Sequence, residues 1–228
     1  KNISTAFKDN IASIPFPNWN MTISGVEKFP MFAQFATSVT IENSFTSEYN
    51  ESFSVDLNNI ERPTRQTVTQ SFSPLFGMNI TFKELLCGSL TASFRINNSI
   101  SNTLVPTSNL IQTTNTNDWS LTANFAKAGF EIPLFGLSLK NDISFDLTIS
   151  KNINNPTDYI FTSDIPDKIP GNGSSVFTVN PSIQYSLSSK VQMQVFYKYI
   201  RTEPTQQTLN TVPRTSNEGG LNIRISIQ

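Results

Sequence analysis

The sequence predicts an all-β fold, an antiparallel transmembrane β-barrel segment of about nine strands that is part of a larger outer-membrane barrel. Three observations carry that expectation: a period-two alternation of apolar and polar residues that returns along the chain, a polar composition large enough to keep one face wet throughout, and strand charges that, Glu51 excepted, fall on that face. Between Val39 and Leu57 the odd positions Val39, Ile41, Phe45, Tyr49, Phe53, Val55 and Leu57 are apolar, whereas Thr40, Glu42, Ser44, Thr46, Glu48, Asn50, Ser52, Ser54 and Asp56 fill even ones. Successive side chains of a strand point to opposite faces, so this segment has one greasy side and one wet side.

Asn, Ser and Thr make up about a third of the residues, well beyond an average globular domain. Hydrophobic residues reach only 37%, led by 18 Phe, whereas a soluble β protein of 228 residues would need a two-sided core of Val, Ile and Leu. Lys plus Arg, at 16, nearly balances Asp plus Glu, at 17, which leaves no field to hold a polyanion and argues against nucleic acid as a partner. The single cysteine, Cys87, rules out an intrachain disulfide and a multi-thiolate metal site, and reads as a free thiol near a turn. No apolar run approaches the roughly 18 residues of a transmembrane helix. Neither an initiating Met nor a signal-peptide pattern stands at Lys1, so the chain reads as processed or as cut from something longer.

Alternation places the strands at Trp19 to Ser24, Val39 to Leu57, Thr67 to Phe82, Ser89 to Asn97, Asp118 to Phe125, Leu137 to Ile149, Val176 to Leu187, Val191 to Tyr199 and Leu221 to Ile227. Pro74 marks a bend or bulge in the third, where Leu75 breaks the parity. A charge facing lipid near mid-membrane costs roughly 2–4 kcal/mol for Arg or Lys, so the charges test these registers. Glu42, Glu48, Asp56, Arg95, Lys140, Asp142, Asp146, Lys198 and Arg224 all fall on the polar parity, and Glu42, Glu48, Arg95, Asp142, Asp146, Lys198 and Arg224 are the expected lumen-facing set. Glu51 is the exception and is placed beyond the bilayer. Trp19, Trp119, Tyr185, Tyr197 and Tyr199 are candidates for the aromatic girdles.

The connections alternate as well. Glu84 to Gly88 and Ser188 to Lys190 are tight, whereas Ser99 to Asn117, Lys151 to Ser175 and Thr202 to Glu218 read as long loops. Tight turns belong to the periplasmic side of a barrel and long loops to the outside. An odd strand count then starts the first strand outside, so strands preceding Lys1, or another chain, must close the barrel. Residues 1–18 are expected to continue from that preceding barrel and residues 19–228 to form transmembrane strands. Phe29, Phe32, Phe35 and Ala36 recur at helical spacing after Pro30 and predict a short amphipathic helix near 29–37 on the periplasmic rim, either plugging the barrel mouth or docking a partner.

Chemistry is sparse. The absence of histidine removes Ser-His-Asp triads, Cys-His dyads and His-based zinc sites. Asp142 and Asp146 share a face but lie four residues apart in a strand, roughly 13 Å, beyond the roughly 5–9.5 Å of glycosidase carboxylate pairs. Gly171 with Gly173 and Gly219 with Gly220 make no phosphate loop. The expectation is no catalysis, no cofactor and no metal.

Six phrases go beyond composition: IPFPNW (Ile14 to Trp19) with SGVEKFP (Ser24 to Pro30), FSPLFGMNITF (Phe72 to Phe82), LKNDISFDLTIS (Leu139 to Ser150), NPSIQYSLSSKVQMQVFYKY (Asn180 to Tyr199) and the closing GGLNIRISIQ. In this order they resemble the C-terminal region of the SprA/Sov family, the outer-membrane translocon of the type IX secretion system of Bacteroidetes, also described as gliding-motility proteins. The resemblance implies the last portion of a barrel of about 36 strands in the cell outer membrane. It implies a wide lumen that passes folded secreted proteins outward, a lateral opening toward a PorV-type small barrel, a plug protein below, and the remainder of the SprA-like barrel and outer-membrane lipid as neighbours. Family members are far longer, so this chain would be a proteolytic piece, a separately encoded segment or a partial chain. Two other readings stand beside it: a TonB-dependent or lipopolysaccharide-assembly barrel, which would bring a plug or periplasmic domain, and a secreted β-sandwich adhesin binding glycans through Asn- and Thr-rich loops.

Overall fold

A computed structural model describes residues 17–55, 57, 59–85, 87–134, 137–161, 166–188, 190–206 and 212–226. Most of the expected leading segment 1–18 lies outside these residues, as do Asp56, Ile227 and Gln228. The described residues form ten strands: β1 (Trp19–Ser24), β2 (Ala36–Val55), β3 (Glu61–Phe82), β4 (Ser89–Val105), β5 (Leu110–Leu134), β6 (Leu137–Ile160), β7 (Asp167–Pro170), β8 (Ser174–Ser186), β9 (Val191–Pro204) and β10 (Arg214–Ile225). They make one antiparallel sheet in the order β1-β2-β3-β4-β5-β6-β8-β9-β10, with β7 added beside the far end of β6. The nine strands of the main path are the nine expected segments. Among the described residues the sheet is open: β1 and β10 are its edges, each paired on one side.

Two of the expected long loops are largely strand. Ser99 to Asn117 is a continuation of β4 and β5, whose ladder runs unbroken from Ser89↔Ala126 to Val105↔Leu110 and closes through a 3-10 turn at Pro106–Ser108. Lys151 to Ser175 contains the end of β6 from Lys151 to Ile160, all of β7 and the first residues of β8. Alternation fails there because both faces are largely hydrophilic, and the strands are held by cross-strand polar pairs instead. Asn98 donates to Asn117 at 2.5 Å, Thr113 to Asn102 at 2.7 Å, and the hydroxyls of Thr67 and Thr103 meet at 3.1 Å. Near the hairpin tip Leu104, fully buried, lies opposite Ile111 and Gln66.

Besides single-residue shifts at the two ends of the β2–β3 ladder, between Ala36 and Ser38 and between Ser52 and Phe53, two bulges set the registers. Phe72 to Gly77 of β3 spans five steps against three on β2 (Glu42 to Phe45), and Phe72 to Phe76 spans four against two on β4, so β3 carries two extra residues around Pro74. An even excess leaves Phe72 and Phe76 on the same face and accounts for the misplaced parity of Leu75. In β5 a single-residue shift falls between Lys127 and Phe130. Gly129 sits there at φ 63°, and its N–H donates to Asp142 Oδ1 at 3.2 Å. Positive φ suits glycine, and the carboxylate takes a donor that the interrupted ladder leaves over.

The helix expected near 29–37 is one turn, α1 (Pro30–Ala33), preceded by a 3-10 turn at Val26–Lys28; Ala36 already pairs with Phe82 as sheet. The ladder of β2 with β3 claims the backbone from Ala36 onward, and Pro30 at the helix start fixes where it begins. This connection folds over the end of β2. Val26 and Phe32 pack on Val39, Ile41, Met78 and Ile80, leaving Val39 fully buried. Glu27 Oε2 accepts the Val39 N–H at 3.1 Å, just past the last β1–β2 pair, Ser24↔Thr40. Its own backbone N–H, followed by that of Val39, holds the Glu27 carboxyl below its usual pKa.

Candidate functional site: the two faces of the sheet

Residues paired across antiparallel strands share a face, so the registers assign every side chain. Thr22, Glu42, Gly77, Arg95, Ser120, Ser150 and Thr178 are successive partners from β1 to β8. On the same face, Glu48 is opposite Thr69, Asp146 lies between Asn124 and Ser182, Lys198 is opposite Glu218, and Arg224 is opposite Gln192. Asp142, two residues before Ser144, completes the set. All seven charges singled out from the sequence therefore lie on one side of the sheet.

Two of them touch. Arg95 reaches across β3 to Glu42, Nη2 to Oε2 at 3.2 Å, and Asn79 Nδ2 donates to the other carboxylate oxygen at 3.0 Å. The residue between them is Gly77, whose missing side chain opens the path; a Cβ there would stand 2.9 Å from Pro74 and 3.3 Å from Glu42 Cβ. Elsewhere the charges are held singly: Asn124 donates to Asp146, Asn50 to Glu48 at 2.9 Å, and Asn97 to Asp118 at 2.6 Å. A shallow depression of about 260 Å³ crosses this face from β3 to β6, with Asn79, Ser93, Thr122, Asn124, Asp146 and Thr148 among its lining. Neutral hydroxyls and amides dominate it. Among the described residues, no group of His, Cys, Asp or Glu is placed to hold a metal ion.

The opposite face is apolar. Ile23, Ile41, Met78, Phe94, Leu121, Ile149, Val179 and Tyr199 form one transverse row, and Leu90, Phe125, Phe145, Ile183, Val195 and Leu221 another. Toward β10 the belt is uncovered, with Val195 49%, Leu221 55%, Ile223 58% and Ile225 64% exposed. From Ile143 to Ile149 it runs about 20 Å along β6 at about 3.3 Å per residue, comparable with the roughly 25 Å apolar band of membrane barrels.

The five aromatic candidates share this apolar side. Trp19 stacks on Phe45 at 4.6 Å between centroids and meets Phe72 edge-on at 6.0 Å. Its indole N–H donates to Asn43 at 2.7 Å, and Asn43 in turn donates to the Leu75 carbonyl at the bulge at 2.7 Å. Trp119 lies between Ile96 and Lys151, Tyr199 meets Phe177 edge-on at 6.5 Å, and the Tyr197 hydroxyl bonds Asn217 at 3.0 Å. Tyr185 is buried, its hydroxyl donating to the Phe130 carbonyl at 3.3 Å, near the tight-turn end.

The structure adds two residues that alternation over short segments did not single out. Past Trp119, Ile149, Phe177 and Tyr199 the next residues on the apolar side are Asn117, Lys151, Ser175 and Arg201, so two cations stand at the belt's edge. Extending the parity of Ile143 to Ile149 by one step would have placed Lys151 there. No protein-family model and no curated protein matches the chain.

Proposed function

We propose that these strands are a stretch of wall in a protein-conducting barrel of the outer membrane, the apolar face toward lipid and the polar face toward an aqueous lumen, and that they contribute no catalysis. The observation that carries this reading is the segregation of the two faces: all seven predicted charges on one, and on the other an apolar belt exposed at Ile183, Val195, Leu221, Ile223 and Ile225, the kind of contiguous apolar surface that marks a membrane or partner contact. The open edges support it too. Unpaired strand edges are not tolerated in hydrocarbon, so β1 and β10 call for neighbouring strands from the rest of a larger barrel. The resemblance to the SprA/Sov family points to the translocon of the type IX secretion system, with a PorV-type barrel, a plug protein and secreted substrates as partners. The sandwich reading requires a second sheet across the apolar face, yet all ten described strands belong to one.

Cysteines introduced singly in native outer membranes test the faces. Positions 221 and 223 should react with lipid-phase reagents and positions 222 and 224 with aqueous ones. Aqueous labelling of both sets would end the membrane reading, and purification of the native complex without secretion components would end the translocon assignment.

A further inference from the structure

We propose that the rim of the apolar face carries a binding site for the phosphate of an anionic lipid, built from Lys151 and Arg201 with Phe177 between them; this rests on that face meeting lipid. Trp119, Lys151, Phe177 and Arg201 are successive partners on β5, β6, β8 and β9, an alternation of aromatic and cation across four adjacent strands. Neighbouring strands lie about 4.8 Å apart, so the two cations straddle Phe177 at roughly 10 Å between backbones. That span suits two long side chains closing on one phosphate. Lys151, Ser175, Phe177, Arg201 and Glu203 line a depression of about 260 Å³ at this point.

The chemistry selects an amphiphile. Immediately toward the belt the same face continues as Leu121, Ile149, Val179 and Tyr199, a surface for acyl chains, whereas on the other side Ser175 offers a hydroxyl to a headgroup and the Glu203 carboxylate is held by Arg201. Arg201 Nη2 meets Glu203 Oε1 at 2.6 Å, which anchors one side of the guanidinium and leaves its other N–H groups for an anion. A lipid-facing cation is expensive at mid-membrane and nearly free at the interface, so this row also marks headgroup depth. Inorganic phosphate would use the cations but gain nothing from the apolar side.

The test is native mass spectrometry of the detergent-solubilised native complex titrated with phosphatidic acid or phosphatidylcholine, with inorganic phosphate as competitor. Phosphatidic acid should be retained preferentially, the Lys151→Gln/Arg201→Gln double variant should lose about tenfold or more of that affinity, and the polar-face control Lys198→Gln should behave as the parent. Equal retention of the two lipids, an unchanged double variant, or displacement by inorganic phosphate at equal concentration would overturn the site. Cysteine labelling at positions 221 and 223 separates the two levels: lipid-phase labelling without lipid preference removes only this site, whereas aqueous labelling removes the membrane reading beneath it.

Discussion

Glu42, Gly77 and Arg95 show how much one absent side chain controls. With side chains 27% and 47% exposed, the Glu42–Arg95 pair is screened by water and adds at most about 1 kcal/mol. Gly77→Val is the harsher change, because its Cβ enters space held by Pro74 and Glu42; overpacking of this kind costs typically about 1–3 kcal/mol. If the sheet is part of a barrel as proposed, the temperature at which its heat-modifiable gel migration is lost should shift little for Arg95→Gln and clearly downward for Gly77→Val. Glu27 makes a pH-dependent latch. Its pKa is depressed in the folded state, so its contribution is fully present above the ordinary value of 4.5 and is lost as pH falls through the folded value. The protection of the Val39 amide, taken relative to its intrinsic exchange rate at each pH, should fall on acidification, and Glu27→Gln should abolish that dependence. That Glu42 and Arg95 share a face was legible from parity alone. Gly77 was not, because its role exists only once β2, β3 and β4 are in register.

At the scale of elements, strands were legible where one face is apolar and the other polar, and invisible where both are wet. Asn98, Asn102, Thr113 and Asn117 give no alternation to read, yet their side chains bond across the β4–β5 ladder and carry it about 30 Å past Trp119 at about 3.3 Å per residue. The same blindness hid Lys151, assigned to a loop when it belongs to the belt's rim. The Gly129 bulge makes a sharper point about sequence: apolar residues sit at odd positions through Phe125 and at an even one, Phe130, beyond it. Gly129→Val should cost about 1–2 kcal/mol for its left-handed backbone, and Asp142→Ala about 1 kcal/mol for the lost acceptor. Both should show as faster hydrogen exchange confined to the adjoining ends of β5 and β6.

For the whole molecule, the decisive comparison is between Ile225, the last residue of β10, and Ser226 just past it. Ile225 is 64% exposed, and in a soluble protein Ile225→Asp would be nearly neutral, within about 0.5 kcal/mol. Facing lipid, the same change costs up to a few kcal/mol depending on depth, whereas Ser226→Asp should assemble normally. Equal outer-membrane assembly of the two variants would sink the lipid assignment of this face. Refolded alone in detergent, the 228 residues should give no discrete, stable single-channel conductance, since two edges remain unpaired; a stable pore would show that the chain closes by itself.

The paired extra residues in β3 turn strand parity into a reading frame of period two. Deleting Ser73 and Pro74 together keeps the frame, and Val68 and Phe72 stay among apolar neighbours. Removing Pro74 alone shifts the frame, turning both toward the side that holds Glu48 and Arg95 while Thr67 and Thr69 turn to the other. Length variation within such strands is thus silent in steps of two and disruptive in steps of one, except close to a turn, as at Gly129, where few residues remain to be misread.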